Sequence, residues 1–304
     1  MISFDERAAC LVEAIPYIRS FSGKTFVVKY GGNAMINEEL KRAVALDLVL
    51  MKCIGLHPIV VHGGGPEITQ MMNRMGKEAR FVSGLRVTDE ETMEIVQMVL
   101  VGKVNKDIVS LVNTLGGKAV GLSGQDGSVI TARRRPPERV VDRKTGEEQL
   151  VDLGHVGDVD RIEPTILQHL SDTGYIPVVS SVGVGPDGES YNINADFVAG
   201  EIARTLEAEK LLMLTDVEGL FEDYSDKSTL ISTTTVDSVR TMLAQGRVEG
   251  GMIPKVQACI NAIEGGVARA HIIDGRRPHS ILLEMFTDAG LGTMILPEGA
   301  GRDA

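Results

Sequence analysis

Cysteine is scarce in this sequence. The 304 residues contain three, Cys10, Cys53 and Cys259, and no two of them form a CxxC pair. A disulfide framework is therefore not expected, and the thiols fit small core residues in a reducing, cytoplasmic environment. The six histidines show no metal-ligand spacing and no HExxH motif, so the sequence predicts no metal site built from protein ligands.

Long apolar runs and an excess of basic residues are also missing. No stretch of 18 or more apolar residues occurs, so no membrane span is expected. The start, MISFDERAACLVEA, is acidic early and lacks the apolar centre of a signal peptide. The 42 acidic and 31 basic residues give a net charge of -11, which disfavours sequence-independent binding to nucleic acid. A hydrophobic fraction of 43% indicates an ordinary globular chain.

Glycine, in contrast, is abundant, and much of the excess follows apolar strands. The strand predicted at Thr25–Tyr30 ends in Gly31-Gly32, and a helix follows at 38–54. A second strand at 58–62 ends in HGGGP, whose proline opens the next helix. This alternation predicts an α/β fold with a mostly parallel sheet and helices on both faces.

The rest of the chain continues the same pattern. Further helices are predicted at 5–19 (kinked or broken at Pro16), 89–101, 104–115, 163–173, 195–206, 236–245, 255–264 and 280–286. Further strands are predicted at 119–122, 176–182, 210–214, 271–273 and 292–296, with a β excursion over 128–159 that turns at 144–146. We expect one continuous sheet with two functional halves that meet near 180–200.

Lys29 lies near the end of the first strand, in FVVKYGGN. Because parallel strands are buried on both faces, Lys29 either extends its ammonium to solvent or meets a counter-charge at the carboxyl edge. Gly31 and Gly32 let backbone N–H groups approach an anion at the start of the next helix. Gly64 and Gly65 repeat the arrangement after the second strand, and the two turns together outline a crevice for an anionic ligand.

Two more basic residues have positions that suggest an anion. Arg86, in SGLRVTDEE, can clamp a carboxylate with two hydrogen bonds, or pair at the surface with Asp89 or Glu90. Lys255, in GGMIPK, lies in the first turn of a predicted helix, where its charge opposes the helix dipole unless an anion binds there.

The segment YNINAD brings Asn192, Asn194 and Asp196 to a helix start. One of them can serve as the N-cap, but three such groups exceed what a single cap needs. Thr215 and Asp216, in LTDVEG, leave the end of another strand, the usual place for a nucleotide in an open α/β sheet.

Lysines, glycine amides, an aspartate and an arginine at strand ends form the set that phosphoryl transfer requires, because that reaction depends on charge neutralisation and positioning. No Ser/His or Cys/His pair accompanies them. A carboxylate acceptor needs no general base, since a side-chain carboxyl with a pKa of about 4.3 is ionised at neutral pH. The sequence therefore favours a kinase that forms an acyl phosphate.

Nearly the whole chain resembles the acetylglutamate kinases of the amino acid kinase superfamily. The similarity runs from PYIRSFSGKTFVVKYGGNAM through VVHGGGPEI, SGLRVTD, LVGKVNKDIV, NINAD, LTDVEG and GGMIPK to HIIDGRRPHSILLEMFTDAGLGTMI. KYGG, HGGGP and LTD also fit carbamate, aspartate, glutamate and UMP kinases, whereas GLRVTD with NINAD and GGMIPK indicates the acetylglutamate enzymes. The resemblance implies one domain with an open three-layer αβα sandwich, in which about 21–190 bind acetylglutamate and form the dimer and about 191–304 bind ATP.

The resemblance also implies ATP-dependent phosphorylation of the 5-carboxylate of N-acetyl-L-glutamate in arginine biosynthesis, with Mg²⁺ held mainly through phosphates. In it, Asp196 would orient the two lysines and Arg86 would hold the α-carboxylate of acetylglutamate. The implied residues are Lys29, Lys255 and Asp196 for catalysis, Gly31 and Gly32 for the phosphoryl group, Gly64, Gly65, Arg86 and Asn192 for acetylglutamate, and Thr215, Asp216 and Gly219 for ATP. No role is assigned to 133–150.

Arginine-inhibited members of the family carry an extra N-terminal helix that interlaces dimers into a hexameric ring, and residues 1–20 resemble it. The positions that match the arginine site are Tyr17, Lys210, His271, Glu284 and Gly290. The resemblance therefore implies feedback inhibition by arginine and a trimer of dimers. A plain dimer or core helix is the alternative for 5–19, and binding of a P-II signalling protein stays open.

Three other functions remain alternatives to this interpretation of the sequence. The first is another amino acid kinase, acting on aspartate or glutamate, and the second is a non-catalytic arginine sensor, against which the presence of both lysines argues. The third is a dinucleotide-dependent oxidoreductase, which rests on a literal GxGxxG match at 183–188 where Pro-Asp-Gly instead indicates a hairpin turn.

Overall fold

The structure, a computed structural model, describes residues 3–141, 148–287 and 290–300. Its helices are α1 (Phe4–Glu13), α2 (Ile15–Phe21), α3 (Glu38–Cys53), α4 (Gly65–Arg74), α5 (Glu90–Gln97), α6 (Asn105–Thr114), α7 (Thr165–Asp172), α8 (Ala195–Thr205), α9 (Val236–Ala244), α10 (Met252–Glu264) and α11 (Ser280–Phe286). Its strands are β1 (Thr25–Tyr30), β2 (His57–His62), β3 (Phe81–Val82), β4 (Leu85–Arg86), β5 (Ala119–Ser123), β6 (Ile130–Arg134), β7 (Glu138–Val141), β8 (Glu148–Val151), β9 (Val156–Ile162), β10 (Ile176–Ser180), β11 (Val182–Val184), β12 (Ser190–Ile193), β13 (Lys210–Thr215), β14 (Thr233–Thr235), β15 (Arg269–Asp274) and β16 (Thr293–Leu296). None of the helices in these ranges combines the length and apolar character that crossing a membrane requires.

The main sheet has eight strands in the order β14-β16-β15-β13-β1-β2-β10-β5. The strands from β15 to β5 are parallel, while β16 runs antiparallel to β15 and parallel to β14. Because parallel strands end at the same edge, the turns that follow β1, β2 and β13 share one rim of the sheet. The mostly parallel sheet expected from the sequence is confirmed.

Helices cover both faces of this sheet, and alternate residues of β1 supply the two cores. Val27 joins one buried cluster together with Val198 of α8. Its neighbours Phe26 and Val28 join the other, together with Leu48 of α3. Two separate apolar layers on either side of one sheet make the three-layer αβα sandwich.

The sheet is not the single continuous one that the sequence suggests. The predicted strand at 176–182 breaks at Ser181, because β10 stays in the main sheet and β11 enters a small closed barrel in the order β11-β12-β9-β6. Both strands are mostly buried, so the hydrophobic pattern does not show where the chain leaves one sheet and pairs with the strands of the other. Two hairpins, β3–β4 and β7–β8, stand apart from both sheets, and the turn predicted at 144–146 lies outside the described residues.

Two predicted helix boundaries are also wrong. The helices expected at 89–101 and 104–115 are joined by a π-helical segment, Met98–Val104, which leads from α5 directly into α6. Helix α10 begins at Met252, three residues before the predicted start at 255, and Lys255 still lies in its first turn.

The N-terminal helix breaks at Ala14, as Pro16 predicts, and Pro16 lies in the first turn of α2. Helix α2 packs on the body of the domain, with Phe21 buried and Ile18 partly buried against the same core. Helix α1 does not share that cover, since Leu11 and Val12 are exposed.

Candidate active site

Asp196 joins the two lysines that the sequence places at separate strand and helix ends. Lys29 of β1 holds its Nζ 2.9 Å from Asp196 Oδ1, and Lys255 of α10 holds its Nζ 2.8 Å from Asp196 Oδ2. Asp196 and Lys29 are almost fully buried, and the Lys255 side chain is 20% exposed. The idea that Lys29 reaches out to solvent is therefore wrong.

Opposite charges decide the ionisation of this trio. Burial opposes ionisation of Asp196, but Lys29 and Lys255 outweigh it and hold the pKa of that carboxyl below its usual range. Burial lowers the pKa of the Lys29 ammonium; Asp196 opposes the shift and Lys255 adds to it. With both lysines protonated, the trio carries one excess positive charge in a largely water-free place, where electrostatic attraction to an anion is strong.

Asn194 explains why Asp196 is available for the lysines. The side chain of Asn194 is the N-cap of α8 and accepts a 2.8 Å hydrogen bond from the backbone N–H of Asp196. Asn194, the residue directly before α8, thus caps the helix, and the Asp196 side chain is not needed as a cap. The alternative in which Asp196 acts only as a cap is wrong.

The two glycine turns lie beside this trio. Gly31 packs against the Lys29 side chain, since an added Cβ there would lie 2.6 Å from Lys29 Nζ. Gly32 has a φ of +69° and lies against Asp216, whose Oδ2 would be 2.7 Å from an added Cβ. The first turn therefore touches both Lys29 and the loop that leaves β13.

The second turn, residues 63–65, lines a cavity of about 190 Å³. The same cavity is bordered by Arg86 from β4, Asn192 from β12, and Ser181 from the break between β10 and β11. Residues from the main sheet, the barrel and the β3–β4 hairpin thus meet at one opening beside Asp196.

Arg86 is buried and reaches into this region from the β3–β4 hairpin. Its guanidinium donates to the Gly65 carbonyl at 2.9 Å and to Thr69 Oγ1 at 2.8 Å, and it lies 4.7 Å from the ring centre of Phe81. Asp89 instead pairs with Lys77 and caps α5, and Arg86 is buried, so the alternative of a surface pair with Asp89 or Glu90 is wrong. Among the described residues no carboxylate lies within ion-pair distance of Arg86, which leaves its charge available for an anionic ligand.

Asn192 faces the same cavity from β12 and is half-buried. Its Nδ2 donates a long hydrogen bond, 3.3 Å, to Thr88 Oγ1. Among the described residues, no further bond of this side chain is seen, so one amide hydrogen and the carbonyl oxygen of Asn192 could bind a ligand, and its role in substrate binding stays a prediction.

The loop after β13 brings together the three residues expected at the nucleotide. The Thr215 hydroxyl is used within the loop, where it donates to the Val217 carbonyl at 2.8 Å. Gly219 lets the chain approach β16 closely, since an added Cβ would lie 2.5 Å from Thr293 Oγ1. Asp216 faces the Gly31–Gly32 turn, so this loop borders the site, and the nucleotide contacts themselves stay a prediction.

A second polar cluster lies away from the lysine pair. His271 of β15 holds Nδ1 2.7 Å from Glu284 Oε1, and both side chains are buried. Gly290 adjoins the same carboxylate, and Lys210 of β13 lies 4.7 Å from the ring centre of Phe21, which neighbours Tyr17. Burial lowers the pKa of Lys210 to about 8. The structure thus brings all five positions of the implied arginine site to one neighbourhood.

No group of three or more His, Cys, Asp or Glu side chains within the described ranges is arranged to hold a metal ion. Binding of Mg²⁺ mainly through nucleotide phosphates therefore stays a prediction.

Comparison with known proteins identifies the family. Residues 24–274 match the amino acid kinase family. Acetylglutamate kinase of Moorella thermoacetica is 58% identical over 292 residues, which cover 96% of this chain and 98% of that protein. The acetylglutamate kinase of Heliobacterium modesticaldum is 56% identical over 296 residues, 97% of this chain and 100% of that protein. The chain belongs to the acetylglutamate kinase family. It is a kinase, so the oxidoreductase and the non-catalytic sensor are no longer alternatives.

Solved structures agree on the fold of this kinase. N-acetylglutamate synthase from Neisseria gonorrhoeae, complexed with coenzyme A and N-acetyl-glutamate, superposes with a TM-score of 0.81 at 26% identity; the match covers 98% of this chain and 64% of that one. Carbamate kinase from Giardia lamblia bound to AMP-PNP superposes with a TM-score of 0.65 at 16% identity, covering 91% of this chain and 99% of that one. The GxGxxG match at 183–188 falls on the β11–β12 hairpin, as its Pro-Asp-Gly turn predicts.

The sequence did not predict that Phe81 and Ser181 also line the cavity beside Asp196. Phe81 faces Arg86 in the β3–β4 register, and the turn between them uses Ser83 and Gly84, both with positive φ. The short pattern FVSGLR is a hairpin signal of this kind. Ser181 gave no such signal, because its place depends on the change from sheet to barrel.

Proposed function

We propose that this kinase transfers the γ-phosphoryl group of ATP to the 5-carboxylate of N-acetyl-L-glutamate, forming N-acetyl-L-glutamyl 5-phosphate in arginine biosynthesis. The observation that carries the proposal is the lysine pair on Asp196 beside a cavity that Arg86 enters with no carboxylate partner among the described residues. The names of the relatives, acetylglutamate kinase, support the choice of substrate.

The reaction needs little covalent assistance from the protein. An oxygen of the 5-carboxylate forms a bond to the γ-phosphorus, the bond from that phosphorus to the β–γ bridging oxygen breaks, and ADP leaves with the electron pair. No proton moves, because the acceptor is already ionised. When bound, Mg²⁺ supplies further charge neutralisation on the nucleotide phosphates.

Different residues bind the transferring phosphoryl group and the acceptor substrate, according to where they lie in the site. Lys29 and Lys255 attract the phosphoryl oxygens as negative charge spreads over them, and Asp196 keeps both ammonium groups in place. Arg86 binds the α-carboxylate with its unused N–H groups, and Asn192 binds polar atoms of the same substrate. The backbone N–H groups around Gly32 and Gly65 hold the transferring oxygens.

The experiment is an ADP-release assay with acetylglutamate, glutamate and aspartate as separate acceptors, together with hydroxylamine to trap an acyl phosphate. We expect ADP release and trapped product with acetylglutamate only, and neither with a Lys29→Met variant. Faster turnover with free glutamate or aspartate would instead support the other amino acid kinase.

We also infer that arginine inhibits this kinase and that α1 joins dimers into a hexamer. Glu284 offers a buried carboxylate for a guanidinium, and Nε2 of His271 is buried without a hydrogen-bond partner among the described residues. Leu11 and Val12 on α1, exposed by 74% and 63%, offer an apolar stripe for the same helix of a neighbouring dimer.

Light scattering and an arginine titration test this inference on the full chain and on a chain that lacks residues 1–20. We expect a hexamer inhibited by arginine, and a smaller, active and less sensitive truncated form. A full-length dimer that is insensitive to millimolar arginine would contradict the inference and leave the kinase proposal intact.

A further inference from the structure

His62 and Asn105 form a buried pair below the second glycine turn. His62 ends β2 directly before Gly63, Asn105 begins α6, and neither side chain is accessible to solvent. His62 Nδ1 lies 2.9 Å from the Gly63 carbonyl oxygen, and His62 Nε2 lies 3.1 Å from Asn105 Nδ2. The phosphoryl-transfer scheme above uses neither side chain.

The partners of the ring fix its tautomer. A carbonyl oxygen only accepts, so Nδ1 must carry the proton that bonds Gly63. Nε2 is then an acceptor, and the amide nitrogen of Asn105 is a donor. Burial lowers the pKa of His62 to about 4, which agrees with a neutral ring at pH 7.

The orientation of the Asn105 amide has its own support. Its Nδ2 donates to the Val178 carbonyl at 2.9 Å, and its Oδ1 accepts from Lys106 Nζ at 3.1 Å. A flipped amide would set oxygen against a carbonyl and nitrogen against an ammonium. The hydrogen bonds therefore run in one direction, from Asn105 to His62 to Gly63.

The Asn105 side chain has room in this position only because residue 121 in β5 is a glycine. An added Cβ at Gly121 would overlap with Asn105 Oδ1 and lie 2.7 Å from Lys106 Nζ. The π-helical segment Met98–Val104, which directly precedes Asn105, also supports the turn itself, because Leu100 Cδ2 would lie 2.6 Å from a Cβ on Gly64. Irregular helical turns of this type are frequent at functional sites.

Fixing the Gly63 carbonyl also fixes the next N–H group. The peptide plane between Gly63 and Gly64 is trans, so the Gly64 N–H points opposite to the Gly63 oxygen and away from the His62 ring. Glycine itself leaves that plane free to rotate. Neither the Gly64 N–H nor the Gly65 N–H bonds an acceptor among the described residues, and both glycines line the cavity.

We propose that His62 is a positioning residue whose Nδ1–H, held in register by Asn105, aims the Gly64 N–H at the phosphoryl-acceptor substrate. The inference rests on the proposed function for the identity of that substrate. His62 acts only through the peptide plane of the turn and touches no reacting atom.

Two substitutions of His62 separate this role from simple packing. The amide nitrogen of His62→Asn lies where Nδ1 was and can still donate to Gly63, whereas that of His62→Gln lies nearer the place of Nε2. We expect kcat/KM for acetylglutamate within about threefold of wild type for His62→Asn and about 10- to 100-fold lower for His62→Gln. The KM for ATP should change less than twofold in both.

The same two changes at His57, at the other end of β2, provide the matched control and should leave kcat/KM unchanged. A packing role predicts the opposite order at His62, because glutamine is closer to histidine in volume. His62→Gln as active as His62→Asn in an active kinase would therefore overturn the proposal. No acetylglutamate turnover in the wild-type chain would instead count against the proposed function.

A ¹⁵N NMR measurement of the histidine rings tests the bond chain without activity. We expect the Nδ1–H tautomer for His62 at pH 7, identified by loss of its signal in His62→Asn. In Asn105→Asp the new carboxylate cannot donate to Nε2, so the ring should gain a second proton. An Nε2–H tautomer of His62 in the wild-type chain would overturn the proposal even where Asn105→Asp fails to fold.

Discussion

Replacing Lys255 with alanine removes one of the two ammonium groups that contact Asp196. If both lysines stabilise the transferring phosphoryl group, the loss acts mainly on the transition state. One positioned electrostatic group contributes about 3–4 kcal/mol to such a state, so we expect kcat to fall by about 10²-fold or more.

The structure limits the cost to folding. Asp196 keeps its 2.9 Å contact with Lys29 in this variant, so no buried carboxylate is left without a partner. The Lys255 side chain is 20% exposed, and water can occupy part of its place. The loss of stability should therefore stay near 1 kcal/mol, well below the ~3–5 kcal/mol of an orphaned buried charge, and Tm should fall by only about 2 °C.

The assay is ADP release at saturating ATP and acetylglutamate, with thermal unfolding recorded on the same preparations. Lys24→Ala is the matched control, because Lys24 pairs with Glu209 at 2.6 Å and is half-exposed just before β1. Its kcat should equal that of wild type. A kcat of Lys255→Ala within threefold of wild type would refute the role given to Lys255.

Three further changes test other parts of the site and the fold. Arg86→Lys should raise the KM for acetylglutamate about tenfold and leave the KM for ATP nearly unchanged, because lysine cannot make a planar bidentate contact; an unchanged acetylglutamate KM in steady-state kinetics would remove Arg86 from the substrate site. Gly32→Ala should abolish most turnover, since its Cβ would meet Asp216, whereas Gly76→Ala, with a similar φ of +77° and no atom within 4 Å, should affect only stability; equal activities would contradict this. Burial raises the pKa of Asp47 to about 6, so the native state binds its proton more tightly than the unfolded chain. The free energy of unfolding should then fall by up to ~3 kcal/mol as pH rises from about 4 to about 6, and Asp47→Asn should flatten that fall in urea titrations.

The lysine pair shows what local patterns predict well. Lys29 is the last but one residue of an apolar strand that two glycines follow, and Lys255 lies in the first turn of a helix that two other glycines precede. Parallel strands and the helices between them bring such ends to one edge, so the sequence predicts that the two lysines lie near each other. Their contact with Asp196 was implied only by the family resemblance, and the 2.9 and 2.8 Å distances to its two carboxylate oxygens show it.

The chain between Ile176 and Val184 shows where such reasoning fails. The segment is mostly apolar and almost entirely buried, yet β10 pairs with β2 and β5 while β11 pairs with β12 and β6. Burial is the same on both sides of Ser181, and only the hydrogen-bond partners change. Partner choice depends on residues distant in sequence, so no local pattern carries it.

The hydrogen-bonded ladder of β1 and β13 links the two polar clusters. Lys29 is in register with Met213, and Phe26 is in register with Lys210. Lys29 and Lys210 therefore lie about 10 Å apart along the strand direction, at ~3.3 Å per residue. A shift in the register of two buried parallel strands would break every hydrogen bond between them. The β1–β13 pair is therefore not expected to change conformation when a ligand binds.

The helices beside the His271–Glu284 pair are not part of this ladder. Helix α2 carries Tyr17 and Phe21, and α11 carries Glu284; both are short and pack against the body from outside the sheet. A ligand shifts an equilibrium only through unequal affinity for two arrangements. If arginine binds between Glu284 and α2, the arrangements it distinguishes are placements of these helices, and through α1 they reach the neighbouring dimer. Removing residues 1–20 should then weaken the inhibition, while the lysine pair, built on the sheet, keeps its geometry and its activity.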